Sequence, residues 1–164
     1  MWIRPVEHKN RLFALRQALW ELDKFARAGI PDDDSFKRVQ SFVQGYWRAK
    51  EQEPMRRLGY LVDHELSGGV TRDELRARVL KLTRAEVNAA IARHLRADKL
   101  SIVVVTEGAA ALAAEIAGKK PSPIVYASKH EQAQLDEDKL IEAFDLHLDP
   151  DAVTVVQPTA LFAE

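Results

Sequence analysis

Hydrophobic residues recur at helical spacing through the first part of this chain. Within residues 7–28 they alternate at three- and four-residue steps, which places one set on a single helix face: Leu12, Leu15, Leu19, Leu22 and Ala26. Gly29 follows, at a cap position where glycine adopts the left-handed conformation at little cost. The pattern predicts a first helix over residues 7–28.

Two further helices are predicted before residue 70. The acidic residues 32–34 favour a helix start, and the apolar stripe behind them is Phe36, Val39, Val43, Tyr46 and Trp47. Pro54 suits the first position of a third helix, because its missing N–H is not needed there. The stripe of this third helix is Met55, Leu58, Val62 and Leu66.

Two capping boxes mark the next two helices. Thr71 is followed by Glu74, and Thr83 by Glu86, so each threonine and glutamate can satisfy each other's free backbone N–H. We therefore predict helices over residues 71–82 and 83–95.

The hydrophobic pattern changes after residue 99. Residues 100–105 read LSIVVV, a β-branched run that predicts a central strand buried on both faces. Residues 153–156 predict a second strand, and residues 124–126 a short extended piece. Between them we expect an alanine-rich helix over 109–117, a surface loop over 130–139, and one or two helical turns over 137–144.

These elements predict an α+β fold in which helices pack on one face of a small, mostly antiparallel sheet. We expect a single domain over residues 1–164. Two or three strands make a poor sheet alone, so the sheet should be incomplete in this chain. Trp2 and Ile3 are interpreted as the end of a strand, with the other strands supplied upstream or by another chain.

Composition excludes several function classes. The formal net charge is −1, from 24 basic and 25 acidic residues, so no global field attracts nucleic acid or an anionic membrane. The chain has no cysteine, which excludes disulfides and thiolate chemistry and leaves the compartment, cytoplasmic or periplasmic, undecided. No signal peptide and no run long enough to span a membrane is recognised.

The candidate chemistry is sparse. No two of the five histidines have the spacing of a zinc-peptidase helix, and residues 63–65 (Asp-His-Glu) are interpreted as a polar helix face. His94 is interpreted as a partly buried packing residue, and His130 and His147 as loop surface. A hydrolase using Ser67 and His64 is disfavoured, because no third group orients them. We therefore predict no catalytic, metal-binding or cofactor-binding residue in this chain.

The order of elements resembles a known family. Residues 83–91 (TRAEVNAAI) precede the run at 100–105, and residues 121–126 (PSPIVY) follow it. This order resembles the C-terminal portion of the insulinase and pitrilysin family of inverted-motif zinc metallopeptidases (peptidase family M16), which includes the mitochondrial processing peptidases. The resemblance covers nearly the whole chain.

The resemblance implies a role without catalysis. In that family the zinc ligands, a His-x-x-Glu-His motif with a distal glutamate, belong to the N-terminal catalytic domain, and none of them is present here. Paired domains enclose an unfolded peptide substrate. Residues 57–60 (RLGY) superficially resemble an Arg/Tyr substrate-binding element of the family, but they lie at the wrong place in the order and are interpreted as packing.

The expected function is therefore a non-catalytic C-terminal domain or fragment of such a zinc peptidase, forming part of the peptide-enclosing chamber. Its partners would be other domains, a catalytic subunit, or a second copy of the chain. The alternative is a standalone helix-rich protein-interaction module. Pairing of residues 2–3 beside residues 100–105 would favour the peptidase, whereas a closed helical bundle with an unpaired run at 100–105 would favour the module.

Overall fold

The computed structural model describes residue 3 and residues 5–161, apart from the side chains of residues 158 and 161. Within these residues there are seven α-helices, which we number in chain order. Short 3₁₀ turns lie at His8–Asn10, Pro150–Ala152 and Pro158–Leu161. The α-helices are α1 (Arg11–Ala28), α2 (Asp33–Glu51), α3 (Pro54–Ser67), α4 (Arg72–Lys81), α5 (Arg84–His94), α6 (Ala109–Ala117) and α7 (Gln132–Glu142).

The chain divides into two compact units. The first unit combines the described residues up to Lys24 with those from Arg96 onward, and the second runs from Phe25 to Leu95. The first unit is therefore discontinuous in sequence, whereas the second is a single stretch.

The core of the first unit lies against α1. Its buried apolar side chains are Leu12, Phe13, Leu15, Leu112 and Ile141. Arg16 is buried among them at 4% exposure. Its guanidinium donates to the carbonyl oxygen of Lys120 at 2.7 Å, to the hydroxyl of Ser122 at 2.9 Å and to the carbonyl oxygen of Glu142. One buried cation thus links α1 to the segment before α7 and to the last residue of α7 through charge-assisted hydrogen bonds.

In the second unit, α2 packs against α3 and α4. Its helix ends follow the sequence prediction. Asp32 caps α2 by accepting from the amide of Ser35 at 2.6 Å, and both predicted capping boxes are present at α4 and α5. Gly68 ends α3 in the left-handed conformation with φ of 63°. Local side-chain chemistry therefore sets where these helices begin and end.

The prediction of a surface loop over residues 130–139 was wrong, whereas the helical turns expected over 137–144 coincide with a helix up to residue 142. We expected a loop followed by one or two turns, but α7 spans Gln132–Glu142. Its polar side chains pair along the helix, since Asp136 accepts from Gln132 at 2.9 Å and from Lys139 at 3.2 Å. Its inner face buries Asp138 and Ile141. A highly charged segment can therefore be helical when three- and four-residue pairs support one face and a few side chains are buried on the other.

The predicted fold class was also wrong. None of the described residues lies in a β-strand, so the α+β sheet that we expected is not present among them. Residues 100–105, 124–126 and 153–156 are non-helical, but they do not pair with one another. The physical reason is that a strand is stable only when a neighbouring strand satisfies its backbone groups and its apolar side chains are covered. Trp2 lies outside the described residues, and Ile3 has no regular structure.

None of the helices in the described part of the chain is long and apolar enough to cross a membrane.

Candidate interaction site

The most unusual surface in the first unit is the apolar segment at residues 100–105. The exposure of its side chains alternates along the sequence, as it does when side chains point to two sides of an extended backbone. On one side, Val103 and Val105 are 89% and 97% exposed. On the other side, Leu100 and Val104 are 41% and 44% exposed, and Ile102 is half-buried. The segment is therefore partly covered on one side and open on the other.

The backbone of this segment is also unpaired. Within the described residues, no backbone-to-backbone hydrogen bond reaches residues 100–105. Exposed N–H and C=O groups along an apolar edge are able to pair with the backbone of another extended chain. The segment thus offers both an apolar face and hydrogen-bonding groups to a partner.

Arg11 fixes the point at which this segment ends. Its guanidinium donates to the carbonyl oxygen of Glu107 at 3.2 Å and bridges to the carboxylate of Glu115 at 2.8 Å. The Arg11 side chain is only 11% exposed, so this contact is shielded from solvent more than a surface ion pair. The end of the segment is therefore held on α1 and α6.

A second extended piece is held by an amide side chain. Asn10 donates to the carbonyl oxygen of Val125 at 3.1 Å and accepts from its amide at 2.9 Å. The side chain thus satisfies both backbone groups of one residue, as a neighbouring strand would do.

A polar cluster lies beside this piece. The hydroxyl of Tyr126 donates to the carboxylate of Asp138 at 2.7 Å and accepts from Gln134 at 2.9 Å. His130 stacks on the Tyr126 ring with centroids 3.7 Å apart. Burial raises the pKa of Tyr126, and the hydrogen bond to Asp138 raises it further. At neutral pH the phenol is therefore protonated and serves as a donor, which suits a packing role.

The second unit contains a small cavity of about 190 Å³. On its wall, the Arg72 guanidinium lies 3.8 Å from the centre of the Tyr60 ring. Glu51 bridges Arg72 at 3.4 Å and Arg76 at 3.2 Å. The cation–π contact and the shared carboxylate place both arginines between α2, α3 and α4. One terminal nitrogen of the Arg72 guanidinium is nevertheless buried without a hydrogen-bond partner among the described residues.

Ser67 and His64, considered above as a nucleophile and a base, contact the backbone at the C-terminal end of α3. The Ser67 hydroxyl donates to the carbonyl oxygen of Asp63 at 2.5 Å, and the His64 ring lies 2.7 Å from the carbonyl oxygen of Gly69. Serine and histidine thus each contact backbone and do not contact one another within the described residues. Their arrangement closes the C-terminal turn of α3.

The remaining histidines are dispersed. His94 is exposed, which corrects our expectation of a partly buried packing residue. His130 is half-buried against Tyr126, and His147 is exposed and adopts a positive φ of 51°. No group of three or more histidine, aspartate or glutamate side chains in the described residues is arranged to hold a metal ion.

Comparison with protein-family models, with curated proteins and with solved structures finds no match for this chain. The resemblance to the insulinase and pitrilysin family therefore stays a prediction from the sequence.

Sequence reasoning located the segment at 100–105 but expected the wrong environment for it. A β-branched run indicates that its side chains are to be buried. It does not indicate which part of the molecule, or which other chain, covers them. Sequence reasoning also missed Arg11 and Asn10, because the groups they hold lie more than 95 residues away.

Proposed function

We propose that this chain is a non-catalytic C-terminal part of an insulinase/pitrilysin-type zinc peptidase, and that it contributes to the wall of the peptide-enclosing chamber. The proposal rests on the resemblance of residues 83–91, 100–105 and 121–126 to that family, together with the exposed apolar segment at residues 100–105, which needs cover from another chain. The family's sheet gives the proposal no support, because the described residues contain no strand.

Residues 100–105 lack cover for their apolar side chains and partners for their backbone groups within the described residues. Fully burying a valine side chain contributes about 1.5–3 kcal/mol, and Val103 and Val105 are both open to solvent. An added extended chain would cover these side chains and pair with the free backbone groups at the same time. In that family paired domains enclose an unfolded peptide, and such a peptide is an extended chain.

The chemistry of the described side chains supports a role without catalysis. The Ser67 hydroxyl and the His64 ring contact backbone carbonyl oxygens at the end of α3. Arg72 and Arg76 form ion pairs with Glu51. Peptide hydrolysis would then depend on zinc held by another domain or subunit.

The alternative is a standalone helix-rich protein-interaction module. The backbone of residues 100–105 is unpaired in the described structure, which favours this alternative because the standalone module predicts an unpaired run there. The large exposed apolar surface of the chain, which includes Val105 at 97% and Leu66 at 83% exposure, is expected for both candidates. Both contact another protein, so this surface does not separate them.

The decisive experiment reconstitutes the chain with a zinc-bearing catalytic subunit of the insulinase/pitrilysin family from the same genome. Binding is measured by calorimetry, and hydrolysis by cleavage of a fluorogenic peptide. We expect no zinc and no hydrolysis with the chain alone, a complex with the subunit, and faster hydrolysis by the complex.

Matched variants test whether residues 100–105 make the contact. Val103→Asp with Val105→Asp should weaken the complex at least tenfold, because two charges would enter an apolar contact. Leu140→Asp is the control, since Leu140 is 63% exposed on α7 in the same unit. Stoichiometric zinc with chelator-sensitive turnover by the chain alone would overturn the non-catalytic role. Failure to bind the subunit would favour the standalone module.

A further inference from the structure

Three exposed side chains, Ser101, Val103 and Val105, share the open side of the segment at residues 100–105. Within the described residues, no backbone group pairs with the backbone of this segment. An occupant that satisfies both features has to supply extended backbone as well as apolar side chains. A second copy of residues 100–105 supplies both.

The two ends of the segment carry opposite charges. Lys99 lies just before the segment and Glu107 lies close behind it, and both side chains are exposed. Neither side chain forms an ion pair with another residue in the described part of the chain. Each of them lies four residues from Val103, one on either side.

The other charges beside the two ends are already paired. At the first end, Arg96 bridges to Asp98 at 2.8 Å. At the second end, Arg11 bridges to Glu115 at 2.8 Å. These ion pairs leave a positive charge at the first end of the segment and a negative charge at the second.

This symmetry makes the segment complementary to itself. When two copies lie antiparallel with Val103 on a two-fold axis, Lys99 of each copy lies opposite Glu107 of the other. On the open side, Val103 then faces its own equivalent and Val105 faces Ser101. A shift by one residue would set the open side of one copy against the covered side of the other. A parallel arrangement would bring like charges together.

We propose that residues 100–105 of two copies of this chain pair as antiparallel strands about a two-fold axis at Val103. The contact involves few residues of each copy, and a two-stranded ribbon is only marginally stable, so the dimer belongs to the weak and transient class. We expect a dissociation constant on the order of 100 micromolar. In dilute solution the chain is then monomeric, and the segment is open to solvent.

This inference goes beyond the proposed function, since it requires neither zinc nor a second kind of subunit. It also predicts that the second copy and the zinc-bearing subunit compete for residues 100–105. A chain that stays monomeric but binds the subunit would overturn the self-pairing alone. A chain that self-pairs but does not bind the subunit would overturn the proposed function alone.

Sedimentation equilibrium from about 10 micromolar to about 1 millimolar measures the association of the full chain. We expect a reversible dimer. Lys99→Glu should weaken it about tenfold, because both end contacts become repulsive, and adding Glu107→Lys should restore the affinity. Leu140→Asp, at an exposed apolar position on α7, is the control and should leave the dimer intact. A wild-type chain that is monomeric throughout, or a double variant no tighter than Lys99→Glu, would overturn the proposal.

Cysteine cross-linking tests the register, because the chain has no cysteine of its own. In the proposed pairing, the two copies of Val103→Cys have a Cα separation of about 4.5–5.5 Å, which suits a disulfide. Val105→Cys is the matched control, since its equivalents would lie about 14 Å apart although position 105 is the more exposed. We expect Val103→Cys to cross-link at least tenfold faster under mild oxidation. Equal rates, or faster cross-linking at position 105, would contradict the two-fold pairing at Val103.

Discussion

At the scale of single residues, the contact between Gly29 and Asn88 links the end of α1 to α5. Gly29 has a φ of 65°, and Asn88 lies directly beside it. The Asn88 side chain accepts from the amide of Ile30 at 2.8 Å and donates to its carbonyl oxygen at 3.1 Å. One amide thus satisfies both backbone groups of a buried residue that follows the helix end.

This geometry predicts that Gly29→Ala is more destabilising than Gly68→Ala. Both glycines have positive φ, so alanine at either position costs about 1–2 kcal/mol of backbone strain. At Gly29 the added Cβ would also lie 2.6 Å from Oδ1 of Asn88, whereas at Gly68 it would meet nothing within 4 Å. Urea unfolding followed by circular dichroism should show the larger loss at Gly29. Equal losses would contradict the role assigned to Asn88.

The sequence predicted the glycine cap but not its partner. The position of Gly29 after an apolar stripe is a local signal, and local signals predict local conformation. Asn88 lies 58 residues from Ile30, and no spacing rule connects the two. The same limit applies to Arg16, whose buried contacts all come from residues more than 100 positions away.

At the scale of elements, the helix starts are the best-predicted part of the molecule. Thr71 and Thr83 each accept from the amide of the glutamate three residues later, at 3.3 Å in both cases. The carboxylates of Glu74 and Glu86 return a contact to the threonine amides at 2.8 Å. These are interactions over three residues, so the sequence contains all the information they need.

The capping boxes predict a specific acid sensitivity. Hydrogen bonds from the Thr71 and Thr83 amides lower the pKa of Glu74 and Glu86 below the ordinary value of 4.5. A carboxylate with a lowered folded-state pKa stabilises the fold above its unfolded pKa, and this contribution is lost as pH falls through the folded pKa. We therefore expect the free energy of unfolding to fall as the pH decreases below about 4.5.

Urea unfolding at several pH values compares the wild type with the double variant that carries both Glu74→Gln and Glu86→Gln. Glutamine preserves the hydrogen-bonding shape but does not titrate, so the double variant should lose less stability in acid. Glu65→Gln is the control, because Glu65 is exposed and caps no helix. An acid response identical to wild type would show that other carboxylates dominate the titration.

At the scale of the whole molecule, stability is expected to be uneven along the chain. The first unit buries a cluster around Leu12, Phe13 and Leu15, whereas Ile30 is the buried large apolar residue identified in the second unit. The sequence predicted α1 to α6 because their support is mostly local, but it missed most of α7. It failed on the sheet because strands need distant partners. The prediction of a single domain over residues 1–164 stays untested by the division into two compact units.

Hydrogen exchange followed by mass spectrometry can map this unevenness directly. We expect amides in residues 100–105 of the isolated chain to exchange at nearly unprotected rates, because no backbone partner shields them in the described structure. Amides in the buried part of α1 around Phe13 should exchange most slowly, since their opening requires loss of the core. Peptides from α4, whose described residues bury no side chain, provide an internal reference for a helix with little cover. Protection of residues 100–105 equal to that of α1 would mean that the segment is paired in solution, and the interaction site would then have to be sought elsewhere.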